Sequence, residues 1–259
     1  MGIFDLTFLG TCACDFSPKL QNECQDRFDF DARRASAALL NGHLLIDCGM
    51  HVLDSLRIAG ISPAAITDVF VTHTHRDHFD ADNLQAIALA KDEPLRVWVS
   101  EEAVLPPIEH ITVNRMKKLE AYAVGEGIEV VGLYANHDPD TFPQHFLFKK
   151  DGKTFLYATD GAWIMLQSYY HLRGAKLDLF DVDATVGDYE GDFRMAEHNS
   201  IPMIRLMLPS LKTAGIIDEH TEVYLTHIAP SLHKPHAETV AIAAKDGMKV
   251  AYDGLSITI

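Results

Sequence analysis

Short apolar runs, many of them rich in β-branched or aromatic residues, recur along the chain between glycine, asparagine or polar clusters. Runs of this kind predict β-strands, whereas apolar positions repeating at helical spacing predict α-helices. The predicted strands cover residues 4–8, 36–40, 43–47, 66–71, 95–99, 128–133, 144–148, 154–158, 177–182 and 222–225, followed by a hairpin over 250–259. The predicted helices cover residues 50–59, 82–90, 161–172, 202–215 and 236–246.

Two local signals fix parts of this pattern. Asn41-Gly42 separates two apolar runs, which is a strong hairpin signal. Asn199 or Ser200 can cap the helix that follows, with Pro202 in its first turn. Strands with helices interspersed between them favour two packed sheets with helices outside. We expect one domain over residues 1–259.

A polar cluster follows directly after the run at 66–71. It contains His73, His75, Asp77 and His78 in the pattern His-x-His-x-Asp-His. In an extended segment, alternate side chains share a face, so His73, His75 and Asp77 would converge on one point and His78 would reach a second. Imidazole with carboxylate suits zinc or a neighbouring first-row ion. The alternative is a histidine-rich loop that binds no metal.

Three further candidate ligands each follow an apolar β run: His137, Asp160 and His227. A single residue of this kind is more often a hydrogen-bonded loop residue. Three in the same context, together with the first cluster, predict side chains that point into a shared cleft. Asp47 and Asp183 are expected to support ligand histidines from behind.

Composition narrows the function. The chain has 14 histidines in 259 residues, which favours a metal protein, and a net charge of −15, which disfavours binding to nucleic-acid phosphates. Two bound divalent ions would add about +4 locally, so the cleft can differ in sign from the surface. We expect no signal peptide and no membrane segment. Four cysteines without a regular framework favour the reducing cytoplasm.

The ordered ligand motifs resemble those of metallo-β-lactamase-fold hydrolases, and the resemblance spans nearly the whole chain. It implies an αββα four-layer sandwich with two divalent metal ions, zinc or manganese or iron, at one edge. It further implies that His73, His75 and His137 hold one ion and that Asp77, His78 and His227 hold the other. Asp160 would bridge the two.

Within that superfamily the chain most resembles the phosphoribosyl 1,2-cyclic phosphate phosphodiesterase group. The resemblance rests on Leu9-Gly10-Thr11, Ala32-Arg33-Arg34-x-Ser36, Ile46-Asp47-x-Gly49, Leu225-Thr226-His227-Ile228 and Tyr252-Asp253-Gly254-Leu255. The group carries a cysteine-rich zinc knuckle completed by a histidine. Here Cys12, Cys14 and a distant Cys24 replace the cysteines, and Pro230 stands near the histidine position.

The expected activity is hydrolysis of a small phosphodiester, cyclic diesters included, by attack of a metal-bridging hydroxide. The alternatives are a thioester or lactone hydrolase of the same fold, a nuclease-like enzyme, and a metal-binding protein without turnover. We expect neither nucleic acid nor membrane as a partner. A homodimer is an expectation by analogy with the resembling family alone.

Several residues are assigned to the chemistry. Asp77 could orient the nucleophile, and His198 is the first candidate for the proton donor to the leaving group and for substrate contact. A surface histidine at a helix start is the alternative for His198. His233 is a further catalytic candidate, and His236 a substrate contact, although His236 also fits a structural role at a helix start.

Arg33 and Arg34 are candidates for binding a substrate phosphate, since a guanidinium can hold a phosphate through two parallel hydrogen bonds. The alternative is a salt bridge to Asp29 or Asp31. The acidic stretch over 178–192 is interpreted as a solvated surface.

Overall fold

The computed structural model describes residues 3–259, and within that range the chain forms fourteen strands and six α-helices. The elements are β1 (Asp5–Gly10), α1 (Pro18–Glu23), β2 (Ala37–Leu40), β3 (Leu44–Ile46), α2 (Val52–Ile58), β4 (Asp68–Phe70), α3 (Ala81–Leu89), β5 (Leu95–Ser100), β6 (Ile111–Met116), β7 (Ala121–Gly125), β8 (Ile128–Tyr134), β9 (Gln144–Lys150), β10 (Lys153–Ala158), α4 (Leu166–Leu172), β11 (Leu179–Asp183), α5 (Ile201–Thr213), β12 (Glu222–Thr226), α6 (His236–Ala243), β13 (Lys249–Val250) and β14 (Ser256–Thr258).

The strands form two seven-stranded mixed sheets. The first has the order β14-β1-β2-β3-β4-β5-β6, and the second has the order β13-β12-β11-β10-β9-β8-β7. In the first sheet the pairs from β14 to β3 are antiparallel and those from β3 to β6 are parallel. In the second sheet the pairs from β7 to β10 are antiparallel and those from β10 to β13 are parallel.

Three hydrophobic clusters define the layers. An aromatic-rich cluster that includes Phe8, Phe70 and Phe146 takes side chains from both sheets and lies between them. A second cluster joins the outer face of the first sheet to α2 and α3. A third joins the outer face of the second sheet to α4, α5 and α6. Burial of these apolar faces produces a helix–sheet–sheet–helix order, which confirms the predicted αββα sandwich.

The sequence prediction is wrong at the C-terminus, where residues 250–259 do not form a hairpin. Instead β13 pairs in parallel with β12, and β14 pairs antiparallel with β1 in the other sheet. The two short strands therefore tie the sheets together. A hairpin and a pair of separate edge strands have the same local pattern, so only long-range pairing distinguishes them.

Three elements were not predicted, namely α1, β6 and β7. The strands β6 and β7 lie at sheet edges, and most of their side chains are partly or fully exposed. They therefore lack the apolar signal of a buried strand. The helix α4 begins at Leu166 rather than at 161, since Trp163 adopts a left-handed backbone with φ of 59°.

The predicted cap of α5 is confirmed, because the Ser200 hydroxyl accepts a hydrogen bond from the Met203 amide and Pro202 lies in the first turn. This cap fixes the chain just before the helix, where His198 lies. Among residues 3–259, no helix is both long enough and apolar enough to cross a bilayer.

Candidate metal centre

All seven proposed ligands lie in connections at one edge of the two sheets. The motif His73–His78 follows β4, His137 follows β8, Asp160 follows β10 and His227 follows β12. The carboxyl ends of parallel neighbours such as β10, β11 and β12 lie together, so side chains that follow them converge. The apolar strands thus hold a polar cluster at their ends.

The seven proposed ligands are covered by two of the four candidate groups in residues 3–259 whose ligand atoms lie within 4.8 Å of one another; the other two groups include His198. One group is His73, His75, His137 and Asp160, and the other is Asp77, His78, Asp160 and His227. These are the two sets that the family resemblance implies, and Asp160 belongs to both.

The expectation that Asp77 shares a face with His73 and His75 is wrong. The strand β4 already ends at Phe70, and the amides of His78 and Phe79 both donate to the His75 carbonyl. The motif is therefore a turn, to which strand alternation does not apply. The turn carries Asp77 across to the group that contains His78.

The Asp160 carboxyl lies at the centre of the cluster and is 3% exposed. Its Oδ2 atom lies 3.2 Å from His73 Nε2, 2.9 Å from His78 Nε2 and 3.3 Å from His227 Nε2. Burial would raise the pKa of this carboxyl, but His227 and His78 hold it well below its usual value. Asp160 is therefore an anion surrounded by ring nitrogens.

Asp160 and His227 both adopt left-handed backbone conformations, with φ of 60° and 55°. Such conformations are strained for residues other than glycine and are concentrated at functional sites. Both residues lie just beyond a strand end, that of β10 for Asp160 and that of β12 for His227, and both side chains line the cleft.

Second partners orient the histidines. The fully buried Asp47 carboxylate accepts a hydrogen bond of 2.7 Å from His78 Nδ1, and it also accepts the Thr72 amide at 2.8 Å. His227 Nδ1 lies within hydrogen-bond distance of the Thr185 hydroxyl, at 2.7 Å. The Asp47 carboxylate places the ring proton of His78 on Nδ1, and in both rings Nε2 faces Asp160 in the cleft.

The cluster favours positive charge. Burial would lower the pKa of His78, but the carboxylates of Asp77, Asp47 and Asp160 raise it well above its usual value. Burial lowers the pKa of His73 to about 3, and His78 adds to that shift. The surrounding carboxylates therefore favour positive charge at His78, and burial keeps His73 as a neutral imidazole.

The residues present fit divalent first-row ions. His78 Nε2 lies 3.2 Å from His227 Nε2, and His75 Nδ1 lies 3.0 Å from His73 Nε2 and 3.1 Å from His137 Nε2. Lone pairs that face one another at such distances repel unless a ring proton or a metal cation lies between them. Several imidazoles with two carboxylates are a donor set suited to zinc, manganese or iron.

His198 lies beside this cluster. Its Nδ1 atom is 2.9 Å from Asp183 Oδ2 and 3.0 Å from Asp160 Oδ1. Asp183 is fully buried and also accepts the amides of Thr185 and Asn199. Asp47 thus contacts a proposed ligand histidine as expected, whereas the histidine that Asp183 holds by a hydrogen bond is His198, which is outside the proposed ligand sets. The burial of Asp183 also corrects the interpretation of 178–192 as wholly solvated surface.

The cleft around the cluster has a volume of about 360 Å³. It also includes side chains that sequence reasoning had not assigned, namely Cys14, Asp15, Arg76, Arg194 and Glu197. Arg76 lies inside the ligand motif and Glu197 precedes His198, so their positions carried a signal. Arg194 follows the acidic stretch, and nothing in the sequence indicated that it lies in the cleft.

The other proposed site residues are not brought to this cleft. His233 Nε2 donates to the Ala184 carbonyl at 2.6 Å, and together with Arg33 and His236 it lines a second cavity. Arg34 donates to the carbonyls of Cys24 and Arg27, and it lines neither of these cavities.

The alternative of a salt bridge for these arginines is also wrong. Asp29 pairs with Lys19 at 2.8 Å, and Asp31 accepts the His236 amide. No carboxylate in the described part of the chain forms an ion pair with the guanidinium of Arg33 or Arg34.

The cysteines do not form a metal clasp in residues 3–259, since none of the candidate ligand groups there contains a cysteine. Cys12 and Cys24 are buried free thiols, whereas Cys14 is exposed at the cleft. This arrangement fits the departure from the zinc-knuckle pattern that was noted in the sequence.

Known structures share this fold over nearly their whole length. A diphosphatase from the PhnP family is 20% identical, with 99% of this chain and 98% of that chain covered at a TM-score of 0.73. The metallo-β-lactamase-fold protein YhfI from Bacillus subtilis is 15% identical, with 99% of both chains covered and a TM-score of 0.74. The short form of human tRNase Z is 20% identical, with 98% of this chain and 99% of that chain covered and a TM-score of 0.68.

These similarities confirm the metallo-β-lactamase fold that the sequence resemblance implied. A family model described as anti-Pycsar protein Apyc1 matches residues 35–103, which is well under half of the chain. No curated protein matches the chain by sequence.

Proposed function

We propose that this chain is a metal-dependent hydrolase that cleaves a small phosphodiester, cyclic diesters included, with two divalent ions. The proposed ligands are His73, His75 and His137 for one ion, Asp77, His78 and His227 for the other, and Asp160 for both. The support is the convergence of the other six side chains around the buried Asp160 carboxylate. Zinc, manganese and iron all suit this donor set.

Two divalent ions held there would supply activated water at neutral pH and would offset negative charge on the phosphoryl oxygens. The chain's own residues hold the geometry. Asp160 sets the spacing between the two ligand groups. Asp77 Oδ2 lies 3.5 Å from His78 Nε2 and 3.8 Å from His227 Nε2, so its other oxygen can accept a proton of the attacking water.

His198 is the proposed proton donor to the leaving oxygen. Its Nδ1 is held by the buried Asp183 carboxylate, which fixes the ring and leaves Nε2 for the substrate. A carboxylate behind an imidazole also stabilises the protonated ring. His198 lines the cleft and belongs to neither proposed ligand set, and its Nδ1 also lies 3.0 Å from Asp160 Oδ1.

The cleft supports a small substrate. Its volume of about 360 Å³ is at the lower end of the range for small-molecule sites. Arg76 and Arg194 line it, and their N–H groups can donate hydrogen bonds to phosphoryl oxygens or other anionic groups. The net charge of −15 supports a small molecule over nucleic acid. Two of the similar structures bear names from phosphate chemistry, a diphosphatase and a tRNase.

The test is hydrolysis of bis-p-nitrophenyl phosphate by protein reconstituted with zinc, manganese, iron or cobalt. We expect turnover with at least one metal and none after chelation, because the phosphoryl charge is then no longer offset. Parallel assays with a thioester and a lactone are the comparison. Turnover of either carbonyl substrate with no phosphodiester cleavage under any metal would contradict the proposal.

Replacing His198 with alanine is expected to lower kcat for a diester with a poor leaving group by about 10²- to 10⁴-fold, the usual contribution of a positioned acid. Both ions should remain bound, because the proposed ligand sets are intact. With p-nitrophenolate, which leaves without a proton, the loss should be much smaller. An equal loss on both substrates, or the loss of an ion, would contradict the assignment.

A further inference from the structure

A second cavity lies behind the loop that carries His227. Its volume is about 330 Å³, and Arg33, Lys234, His233 and His236 contribute to its lining. Loop residues 227–230 separate it from the metal cleft. His227 and Ala229 line the cleft, whereas Ile228 and Pro230 line the second cavity.

Arg33 is the unusual feature of this cavity. It is only 3% exposed, yet no carboxylate of residues 3–259 forms an ion pair with it. Buried arginines are normally paired with an anion, since an uncompensated buried charge is costly. The carboxyl of Asp253 is joined to it only through the Thr11 hydroxyl, which donates to Asp253 and accepts from Arg33.

Three N–H groups of the Arg33 guanidinium donate hydrogen bonds within residues 3–259, and two do not. Nη1 donates to the Thr11 hydroxyl and to the Ala251 carbonyl, both at 2.6 Å, and Nη2 donates to His236 Nδ1 at 2.8 Å. An arginine has five N–H donors. The two that remain, one on Nε and one on Nη2, meet no acceptor among residues 3–259.

His236 is held as a neutral ring. Because arginine can only donate, His236 Nδ1 must accept, and burial together with Arg33 lowers the pKa of this histidine. The ring of Phe30 stacks on it at a centroid distance of 4.9 Å. The charged side chains that line the cavity are then the positive Arg33 and Lys234 and the negative Asp31. Asp31 Oδ1 accepts a hydrogen bond from the His236 amide at 2.7 Å.

We propose that this cavity is a binding site for a small phosphate-class oxyanion, separate from the metal centre. A phosphate would accept the two unused N–H groups of Arg33 and would place its charge between Arg33 and Lys234. Guanidinium geometry matches a phosphate through two parallel hydrogen bonds, which favours this class of anion over a spherical one such as chloride.

The test is a titration of the metal-free chain of residues 1–259 with inorganic phosphate, monitored by the amide chemical shifts of the protein. We expect saturable shifts in residues 228–239, with chloride at equal ionic strength producing none. Lys234 is exposed and its ammonium forms no ion pair in residues 3–259, so Lys234→Ala should leave the fold intact. Its affinity for phosphate should fall by about threefold to tenfold through loss of one charge.

Asp31→Asn should bind phosphate more tightly, because it removes the acidic side chain but keeps an acceptor for the His236 amide. Lys212→Ala on α5 and Arg76→Ala in the metal cleft are the matched controls and should bind as the wild type does.

Absence of saturable binding would overturn the proposal. So would binding that Arg76→Ala weakens and Lys234→Ala does not. Neither result depends on the proposed hydrolase activity, because no metal is present and no turnover is measured.

Discussion

Replacement of Asp160 with asparagine is expected to remove at least one of the two ions and to lower phosphodiester turnover about a thousandfold or more. The amide has the shape of the carboxyl but no charge. Asp160 Oδ2 lies within 3.3 Å of three imidazole nitrogens that belong to two ligand groups, so a single change weakens both. Metal content by mass spectrometry and kcat on bis-p-nitrophenyl phosphate are the measurements.

The matched control for Asp160 is Asp68→Asn. Asp68 is also fully buried, but it pairs with Arg96 and Trp98 in the first sheet and belongs to no ligand group. The Asp68→Asn variant should have a lower free energy of unfolding than the wild type, but it should bind both ions and keep its turnover per folded molecule. If Asp160→Asn retained two ions and normal turnover, Asp160 would not be the shared ligand.

Replacement of Asp47 with alanine is expected to destabilise the protein by about 3–5 kcal/mol, the usual cost of removing one partner of a buried charged pair. Asp47 is fully buried and accepts from His78 Nδ1 and from both the amide and the hydroxyl of Thr72. Its φ of 63° is also less costly for aspartate than for alanine. Urea unfolding of the metal-free protein measures the loss.

Asp47 also fixes His78, so the same substitution should weaken the ion held by His78, Asp77 and His227 more than the other ion. Asp47→Asn is the comparison, because asparagine tolerates the left-handed backbone and keeps one acceptor. It should lose less stability than Asp47→Ala. Retention of both ions and a loss below about 1 kcal/mol in Asp47→Ala would show that this aspartate does not position His78.

The fold and the proposed ligand positions were accessible from the sequence for a physical reason. Strands buried on both faces carry continuous apolar runs, so their ends can be located, and a polar residue that follows such an end stands out. This holds for His137, Asp160 and His227. The resemblance to the metallo-β-lactamase-fold hydrolases then implied the grouping of the ligands, which strand alternation alone assigned incorrectly for Asp77.

Features that depend on contacts between distant segments were not accessible. The Arg33 side chain is positioned by hydrogen bonds to Thr11, Ala251 and His236, which lie far apart in the sequence. The pairing of β14 with β1 is equally remote from any local pattern. His233 resembled a cleft residue in sequence, but its hydrogen bond to the Ala184 carbonyl turns it away.

The most direct test of the proposed dinuclear centre is the metal content of the wild-type protein, purified without chelators and then saturated with zinc or manganese. Two divalent ions per chain are expected, both removed by chelation and restored together with diester hydrolysis. A chain that binds no ion under these conditions, or only one ion that is unaffected by Asp160→Asn, would contradict the convergence of seven ligands on two metals.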